Sequence, residues 1–428
     1  MSSALRSALG SRPGYRAVSA MIDVSLLKQY GMTGSSHVLV KINLADPPAE
    51  YKPKADPRLL QQLIRTIIRY TGRCTVCECA QGRLEHYMRS LGFGTWIDSR
   101  ELRVLDLDLE PDNRLVTVTN EFGTYALPEC LREYDFRIAF ATASKREQCV
   151  FSNCVKLFVG IIPYRTLQLY SKEFPGWRPK LHMDLHNQIC GVYQALTQTA
   201  PFHLFLSGGN AYKEGHGKFS IGLYHASDAV ALDLMVLHHE FRLPIPLYLQ
   251  MLSGHPCPTG DKTALVMVDV QEDYCGTQGY YARKDQGAFT MGTVAKRLLA
   301  YAEHPPFDYV LRSAMVYKPR DYADEPCVEG TPGTAYYGSV HSDLDFLKRE
   351  YSCFSSPEFC DFLRTRQIGR IVLAGFQTSF CVYATAVTAL KLGFTVEILR
   401  DFTGDRKKHE NRAADMLKQL QQMGCILR

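Results

Sequence analysis

The chain has 428 residues, 46% of them hydrophobic, and its formal net charge at pH 7 is +5. This balance is typical of a soluble globular protein, and it excludes a disordered chain or one that coats nucleic acid through its charge. The length favours two or three domains. Because no run of 18 apolar residues occurs, we expect no membrane span.

The amino-terminal segment, residues 1–34, contains several arginines but no long apolar stretch, so the sequence predicts no secretory signal. The 14 cysteines of the chain show no regular spacing, which favours a reducing compartment over a framework of disulfides. We therefore expect a cytoplasmic protein with neither a nucleic-acid nor a membrane partner, and homo-oligomer formation stays open.

Strand and helix patterns alternate in the following stretch, residues 35–252. Residues 37–44 are predicted to form a strand with Lys41 near its end, and residues 56–70 a helix with one broad apolar face. Residues 74–79 are predicted to form a second strand. The alternation predicts an α/β or α+β domain.

Three cysteines of this second strand, Cys74, Cys77 and Cys79, have the C-x-x-C-x-C spacing of a metal motif. In an extended chain Cys74 and Cys77 point to opposite faces, and no second cysteine pair follows nearby. We therefore expect packed thiols and not metal ligands.

Two further features of this half are candidates for ligand binding. His182 and His186 are four residues apart, so on a helix they would share a face and could hold a metal, although a surface helix is the simpler interpretation. The glycine- and lysine-rich residues 207–218 are predicted to form a loop whose backbone can approach an anion closely. Together with Lys41 and Lys156, this loop predicts a cleft for an anionic small molecule.

Three ordered motifs make residues 35–240 similar to the DUF362 family of uncharacterised domains. The matching residues are Lys41 and Asn43 after the first strand, Lys156, Gly160 and Pro163 in a central element, and Asp228 and Asp233 in a late element. Leu157 replaces an asparagine that is usual in the central element. The resemblance implies a separate domain but no particular reaction, and the cofactor of this domain is unknown.

A linker is predicted over residues 253–262, which are polar and rich in proline and glycine. It separates the stretch 35–252 from a carboxyl-terminal domain, residues 263–428.

Two buried strands of the carboxyl-terminal half lead to residues with reactive side chains. Residues 264–268 are uniformly apolar, which indicates a parallel sheet covered on both faces, and they end at Asp269. Residues 371–374 lead through a tight turn to Cys381, on the first turn of a helix predicted to stop at Gly393. Because sites gather at the carboxyl ends of parallel strands, Asp269 is a candidate base and Cys381 a candidate nucleophile.

The charge around Cys381 supports this interpretation. Helix amides carry partial positive charge, which favours the thiolate over the thiol. Lys348 is the third candidate, because beside a thiolate and a carboxylate it would stabilise the negative charge of both. Taken alone, each residue has a simpler interpretation, as a packed cysteine, a capping aspartate or a solvated lysine.

Four ordered motifs make residues 263–428 resemble the isochorismatase-like cysteine hydrolases, the superfamily of nicotinamidases and N-carbamoylsarcosine amidases. The matching residues are Asp269 and Gln271; Gly330, Thr331, Pro332 and Gly333; Lys348, Tyr351, Ser352 and Phe354; and Gly375, Thr378, Cys381 and Val382. The resemblance implies a three-layer α/β/α fold with a mainly parallel sheet and an Asp269–Lys348–Cys381 triad. It also implies a cis peptide bond between Phe376 and Gln377.

This sequence differs from nicotinamidases at the positions of their metal ligands, which lie in an Asp-x-His element after the second strand. Val316 and Lys318 stand at those two positions, and neither is a suitable ligand for zinc or iron. We therefore expect no metal and no cofactor in this half, and we do not expect nicotinamide as the substrate. Lys318 or Arg320 could instead meet a carboxylate.

The resemblance implies hydrolysis of a C–N bond, in an amide, ureido or related acyl group, through a covalent cysteine thioester. The turn residues Phe376, Gln377 and Phe380 are expected to shape the oxyanion site, and Gln271 and Tyr274 to contact the small-molecule substrate. The N-terminal half is expected to bind or modify a related small molecule. Two alternatives stay open: hydrolysis of a vinyl ether of the isochorismate type, or a catalytically inactive binding or scaffolding protein.

Overall fold

The computed structural model describes residues 16–19, 21–43, 55–146, 149–163, 166, 185–213, 217–243, 245–253, 260–284, 288–317 and 325–428. The chain divides into two compact units, an N-terminal unit of Met1–His182 and His186–Gly254 and a C-terminal unit of Met183–Leu185 and His255–Arg428. Residues 254–259 of the predicted linker lie outside the described residues. Within the described part of the chain, no helix is long and apolar enough to cross a bilayer.

The elements of the N-terminal unit alternate along the chain. Its strands are β1 (Arg16–Ser19), β2 (Val38–Lys41), β3 (Cys74–Glu78), β4 (Leu102–Asp106), β5 (Leu115–Asn120), β6 (Gly123–Pro128), β7 (Phe136–Ala141), β8 (Ser144–Arg146), β9 (Val150–Ser152), β10 (Leu204–Lys213) and β11 (Gly217–Ala226). Its α-helices are α1 (Val24–Gln29), α2 (Pro57–Thr71), α3 (Leu84–Met88), α4 (Gly94–Asp98), α5 (Cys154–Leu157), α6 (Leu185–Thr199), α7 (Ala229–Val236) and α8 (Leu247–Leu252). The chain kinks within Arg89–Phe93, where Gly92 has a φ of 87°, and a π-helical turn occurs at Leu237–Phe241.

A mixed sheet forms the centre of this unit, with the strand order β1-β11-β10-β7-β2-β3-β4. The neighbours from β10 to β4 are parallel, whereas β11 and β1 join antiparallel. Strand β2 pairs with β3 on one side and with the much later β7 on the other, so the sheet grows in two directions from β2. The predicted α/β architecture of the N-terminal half is confirmed.

Helix α2 shows how local sequence sets an element of this unit. The Asp56 side chain accepts hydrogen bonds from the amides of Arg58 and Leu59, and Gly72 ends the helix with a φ of 79°. Its buried face consists of Leu60, Leu63, Ile64, Ile67 and Ile68. These side chains belong to the same hydrophobic cluster as residues of β2 and β3, and the helix predicted over residues 56–70 is confirmed.

The glycine-rich residues 207–218, predicted to form a loop, are largely extended. Strands β10 and β11 pair antiparallel across them, and residues 214–216 lie outside the described residues. The strand register shifts between Ser207 and Gly209, and Gly209 has a φ of 71°. The prediction was wrong because glycine serves a bulge inside a strand here and not an open loop.

The C-terminal unit has the regular alternation of an α/β domain. Its strands are β12 (Lys262–Val268), β13 (Tyr309–Met315), β14 (Leu344–Lys348), β15 (Ile368–Phe376), β16 (Thr395–Gly404) and β17 (Ile426–Leu427). Its α-helices are α9 (Glu272–Cys275), α10 (Tyr280–Arg283), α11 (Ala288–Ala302), α12 (Pro357–Thr365), α13 (Tyr383–Lys391) and α14 (Glu410–Gln422). A π-helical turn, Thr378–Val382, connects β15 to α13.

The sheet of the C-terminal unit is wholly parallel, with the order β14-β13-β12-β15-β16-β17. Residues 264–268 of the central strand β12 are all fully buried although successive side chains point to opposite faces, so both faces of the sheet are covered. Met291 and Ala295 of α11 pack with Leu265 on one of these faces. The predicted α/β fold with a parallel sheet is confirmed.

The strand order brings three predicted site residues to one edge of this sheet. Asp269 follows β12, Lys348 is the last residue of β14, and Cys381 follows β15 by a short turn. Because all these strands are parallel, their carboxyl ends lie at the same edge. Gly375 has a φ of 108°, and a Cβ there would collide with the carbonyl oxygen of Val268, so β15 approaches β12 closely where both strands end.

Candidate active site

Asp269 is fully buried directly after β12. Its backbone has a φ of 50°, a left-handed conformation that is uncommon for residues other than glycine. The Ser313 hydroxyl, on β13, accepts a hydrogen bond from the Asp269 amide at 3.1 Å and donates one to Oδ1 at 2.7 Å. The other carboxylate oxygen, Oδ2, is turned to Lys348.

Lys348 has a buried side chain whose Nζ lies 2.8 Å from Asp269 Oδ2. The same Nζ donates a hydrogen bond to the carbonyl oxygen of Glu350 at 3.1 Å. Burial alone lowers the pKa of Lys348, but the neighbouring Asp269 and Cys381 raise it, and the net direction is upward. Lys348 is therefore an ammonium group that stabilises negative charge on either neighbour.

The thiol of Cys381 lies in hydrogen-bonding contact with the side chains of both Asp269 and Lys348, so the three candidate residues are together. Cys381 is only 3% exposed. Burial raises the pKa of the Cys381 thiol well above its usual value; Lys348 lowers it and Asp269 raises it further. Burial therefore opposes the effect of Lys348 and of the helix amides, which favour the thiolate, and the net direction is toward the protonated thiol.

The turn before Cys381 contains a cis peptide bond between Phe376 and Gln377, as the resemblance implied. Phe376 is buried in the core of the unit, and the amide group of Gln377 donates to the Tyr281 hydroxyl. The Phe380 amide, expected near an oxyanion, donates instead to the Gln377 carbonyl at 3.1 Å. That part of the oxyanion prediction is wrong, because the turn uses this amide to hold its own shape.

Gln271 joins two segments of the protein and does not face a substrate. Its Nε2 donates to the carbonyl oxygens of Met315 at 3.0 Å and Thr334 at 2.9 Å, and its Oε1 accepts from the Met315 amide at 2.8 Å. Its side chain is fully buried. The prediction of a substrate contact is wrong, because backbone groups at the end of β13 and near the Gly-Thr-Pro-Gly segment occupy both ends of the amide.

Tyr274, expected to contact the substrate, is 4% exposed on α9 and lies beside Cys327 and Cys381. The neighbouring Asp273 carboxylate accepts hydrogen bonds from the amide of Cys327 at 2.6 Å and from that of Tyr280 at 2.8 Å. These contacts hold the segments that carry Cys327 and Tyr280 in place next to the thiol. A substrate contact for Tyr274 stays a prediction.

At the positions where nicotinamidases carry metal ligands, this chain has residues of a different type. Val316 is buried and has no donor atom in its side chain. Lys318 and Arg320 lie outside the described residues. Among the side chains that the structure describes, no three or more of His, Cys, Asp and Glu are grouped so that they could hold a metal ion.

Three side chains near the site were not anticipated from the sequence: Ser313, Tyr281 and Arg406. The Arg406 guanidinium lies 5.3 Å from the centre of the Tyr281 ring and 5.8 Å from that of the Phe380 ring. Arg406 comes shortly after β16, at the same edge of the sheet, and a search for polar residues after every strand would have found it. Ser313 lies inside β13. Its contact with Asp269 arises only because β13 pairs with β12, so local sequence does not indicate it.

In the N-terminal unit, the predicted anion-binding lysine is already paired. Lys41 is fully buried at the end of β2, and its Nζ lies 2.7 Å from Glu78 Oε1 and donates to the Ile42 carbonyl at 2.8 Å. The prediction of a free cation at Lys41 is therefore wrong, because Glu78 neutralises it. Lys156 is half-buried on α5.

The histidine and cysteine candidates of this unit are packed groups. His182 lies outside the described residues, and His186 is 4% exposed with its Nδ1 accepting from the Tyr248 amide at 3.3 Å. Burial, with the nearby charge of Lys156, lowers the pKa of His186 to about 3, so the ring is neutral. Cys74 and Cys77 are buried in β3, as expected for packed thiols.

Comparison with known proteins agrees with the division into two units. The model of the isochorismatase domain matches residues 263–428, and that of a domain of unknown function, DUF362, matches residues 38–238. Maleamate amidohydrolase of Pseudomonas putida is 30% identical over 170 residues, which are 36% of this chain and 78% of that protein. Nicotinamidase/pyrazinamidase of Mycobacterium tuberculosis is 28% identical over 163 residues, 33% of this chain and 85% of that protein.

Among solved structures, PnC1 from L. infantum in complex with nicotinate is similar to this chain with 20% sequence identity and a TM-score of 0.34. The match covers 40% of this chain and 96% of the PnC1 chain. The strand order and the contacts of Cys381 define the C-terminal unit as a parallel α/β domain whose sheet edge gathers a cysteine, an aspartate and a lysine. Through residues 263–428 the chain belongs to the isochorismatase family.

Proposed function

We propose that the C-terminal unit hydrolyses the C–N bond of a small amide, ureido or related acyl compound, with Cys381 as its nucleophile. One observation carries the proposal: the Cys381 thiol contacts both members of a buried Asp269–Lys348 ion pair with an Oδ2–Nζ distance of 2.8 Å. The names of the two curated relatives, a maleamate amidohydrolase and a nicotinamidase/pyrazinamidase, support the amide class.

Thioester formation is the first half of the proposed reaction. Asp269 takes the proton of the Cys381 thiol as the sulfur attacks the acyl carbon, and the carbonyl oxygen becomes an oxyanion. Asp269 then passes that proton to the leaving nitrogen, the C–N bond breaks, and an amine or ammonia departs. Because burial keeps the thiol protonated at rest, this transfer is necessary before or during attack.

Hydrolysis of the thioester completes the cycle. Asp269, again a carboxylate, accepts a proton from a water molecule that attacks the thioester carbon. The C–S bond then breaks, the carboxylic acid product is released, and the Cys381 thiolate takes the proton back from Asp269. Lys348 stays charged and stabilises whichever neighbour is negative. With the Phe380 amide bonded to Gln377, we propose the amide of Cys381 as an oxyanion donor, and one good donor contributes about 3 kcal/mol to the transition state.

The substrate that fits this site carries a negative group. Arg406 lies over the ring of Tyr281, which accepts a hydrogen bond from Gln377, and over that of Phe380, which is part of the turn that carries Cys381. A guanidinium at this place would pair with a carboxylate. Maleamate has both an amide and a carboxylate, and nicotinamide has no carboxylate, so the proposal ranks maleamate above nicotinamide as a test compound.

For the N-terminal unit we propose binding of a related small molecule at the carboxyl ends of β2 and β7. The sheet grows in opposite directions from this point, and crevices that bind ligands form at such places in parallel sheets. Addition of the substrate or product of the C-terminal unit should raise the unfolding temperature of the N-terminal unit. An unchanged temperature at saturating concentrations of both compounds would contradict this role.

Ammonia release from maleamate and nicotinamide, measured with the purified protein, tests the hydrolase. We expect Cys381→Ala to abolish turnover and Cys381→Ser to retain binding. We expect a chelator to leave the activity unchanged, because Val316 offers no donor atom at a position where nicotinamidases carry a metal ligand. Iodoacetamide should label Cys381 selectively, and a substrate should protect it. Full activity of Cys381→Ala would sink the proposal, and conversion of isochorismate by that same variant would favour the vinyl ether alternative.

A further inference from the structure

The hydroxyl of Ser313 makes two hydrogen bonds to one residue, and that residue is the proposed base. It accepts from the Asp269 amide at 3.1 Å and donates to Asp269 Oδ1 at 2.7 Å. Both residues are fully buried. A serine hydroxyl has one proton, and because an ionised carboxylate can only accept, that proton is directed to Oδ1. The Cys353 thiol, which also contacts Ser313, can then only donate to the hydroxyl oxygen.

The backbone of Asp269 explains why such a clamp is needed. Its φ of 50° is a left-handed conformation that few residues other than glycine adopt, and it has to be held by the surroundings. Ser313 bonds the amide and the carboxylate of Asp269 together, so it fixes both the backbone and the side-chain rotation. The result is that Oδ2 points at Lys348 Nζ, 2.8 Å away, and that the carboxylate stays in contact with the thiol.

We propose that Ser313 is a positioning residue for hydrolysis, which keeps the Asp269 carboxylate aimed at the Cys381 thiol. This inference rests on the proposed function, since it assigns Ser313 a role in the reaction of that site. Ser313 acts through Asp269 and does not exchange a proton with the thiol or the substrate. Its contribution is to keep the base within reach of the proton that the base removes.

Two variants of equal shape test the proposal: Ser313→Thr keeps a hydroxyl and Ser313→Val replaces it by a methyl group. Iodoacetamide is the probe, and the rate of Cys381 alkylation is followed by mass spectrometry at increasing probe concentration. We expect the limiting rate to fall at least about tenfold in Ser313→Val, since general base catalysis contributes about 10²–10⁴-fold. The half-saturating concentration should stay unchanged, and Ser313→Thr should restore most of the rate.

Equal limiting rates of Cys381 alkylation in Ser313→Thr and Ser313→Val would overturn the proposal. Both variants change the packing in the same way, and only Ser313→Thr keeps the hydroxyl. Asp269→Asn separates this failure from that of the proposed function. If Asp269→Asn leaves alkylation unchanged, Asp269 is not the base and the proposed function fails. If Asp269→Asn slows alkylation and Ser313→Val does not, only the role of Ser313 fails.

A double variant gives a second readout of the same proposal. In the Asp269→Asn background, Ser313→Val should slow alkylation no further, because a positioning residue has nothing left to position. A further slowing of the same size as in the wild-type background would show that Ser313 acts independently of Asp269, and would contradict the proposal.

Discussion

The charge state of single residues in this protein is decided by burial and by immediate neighbours. The Cys381 thiol keeps its proton because burial raises its pKa, although Lys348 opposes that effect. Lys348 stays charged because Asp269 lies 2.8 Å away. The neutral His186 in the N-terminal unit illustrates the opposite outcome, since burial and the nearby charge of Lys156 both lower its pKa, to about 3.

Removal of one partner of the Asp269–Lys348 pair should be costly. We expect Lys348→Met to destabilise the C-terminal unit by about 3–5 kcal/mol, because it leaves a buried carboxylate unpaired. The free energy of unfolding in urea measures this change. The double variant Asp269→Asn/Lys348→Met should recover part of the stability and none of the activity, and wild-type stability of Lys348→Met would contradict the expectation.

His186 predicts a pH dependence of stability. Its folded pKa of about 3 is below the usual value of 6.5, so between these values the unfolded state binds more protons and stability falls as pH falls. The loss is at most about 1.4 kcal/mol per pH unit and begins below about pH 6.5. In His186→Asn, whose Oδ1 can replace Nδ1 as acceptor for the Tyr248 amide, unfolding curves from pH 7 to 4 should show a smaller decline.

Two features of the strands position the site: the residue at which each strand ends, and the distance between neighbouring strands. Strands β12, β14 and β15 end at one edge and thereby bring Asp269, Lys348 and Cys381 together from distant parts of the chain. The approach of β15 to β12 depends on Gly375. Glycine in β10 serves a bulge instead, which is why residues 207–218 have the composition of a loop although their described part belongs to two paired strands.

Gly375→Ala should displace β15 and with it the turn that carries Cys381. The added Cβ meets the Val268 carbonyl oxygen while φ stays at 108°, and left-handed strain together with overpacking predicts a cost of about 2–5 kcal/mol. Gly393→Ala is the matched control: its φ is 86°, but no other atom lies within 4 Å of the added Cβ. Thermal unfolding should show a larger loss for Gly375→Ala; equal losses would contradict the close-approach argument.

At the scale of the whole molecule, each unit has its own sheet and its own hydrophobic cluster. The N-terminal cluster includes Val38, Ile64 and Ile138, and the C-terminal cluster includes Leu265 and Met291. A domain with a core of its own can fold as a unit. We therefore propose that residues 35–252 and 263–428 are separate folding domains.

Two unfolding transitions should then be seen by calorimetry, one for each unit. Lys41→Met removes the cation that lies 2.7 Å from the buried Glu78 carboxylate and should lower only the transition of the N-terminal unit. Gly375→Ala should lower only the other transition, and limited proteolysis should release a fragment that begins near residue 260. A single transition that both variants shift equally would show that the chain unfolds as one body.

The sequence by itself determined the class of both units, the family of the C-terminal unit and the three candidate residues that the structure brings together. These follow from local signals: an apolar strand that ends at Asp269, a strand–turn–helix that carries Cys381, and spaced motifs around Lys348. Such signals can be recognised in the sequence because strand ends and turns constrain residue type locally.

Only the tertiary structure decided which polar residues are partners and which are free for chemistry. Lys41 is neutralised by Glu78 from another strand, Gln271 is occupied by backbone groups, and Ser313 reaches Asp269 across a strand pair. The distances and the burial that set these roles arise between residues far apart in the chain. Local sequence carries no record of them, so protonation state and hydrogen-bond partners became visible only once the sheets were assembled.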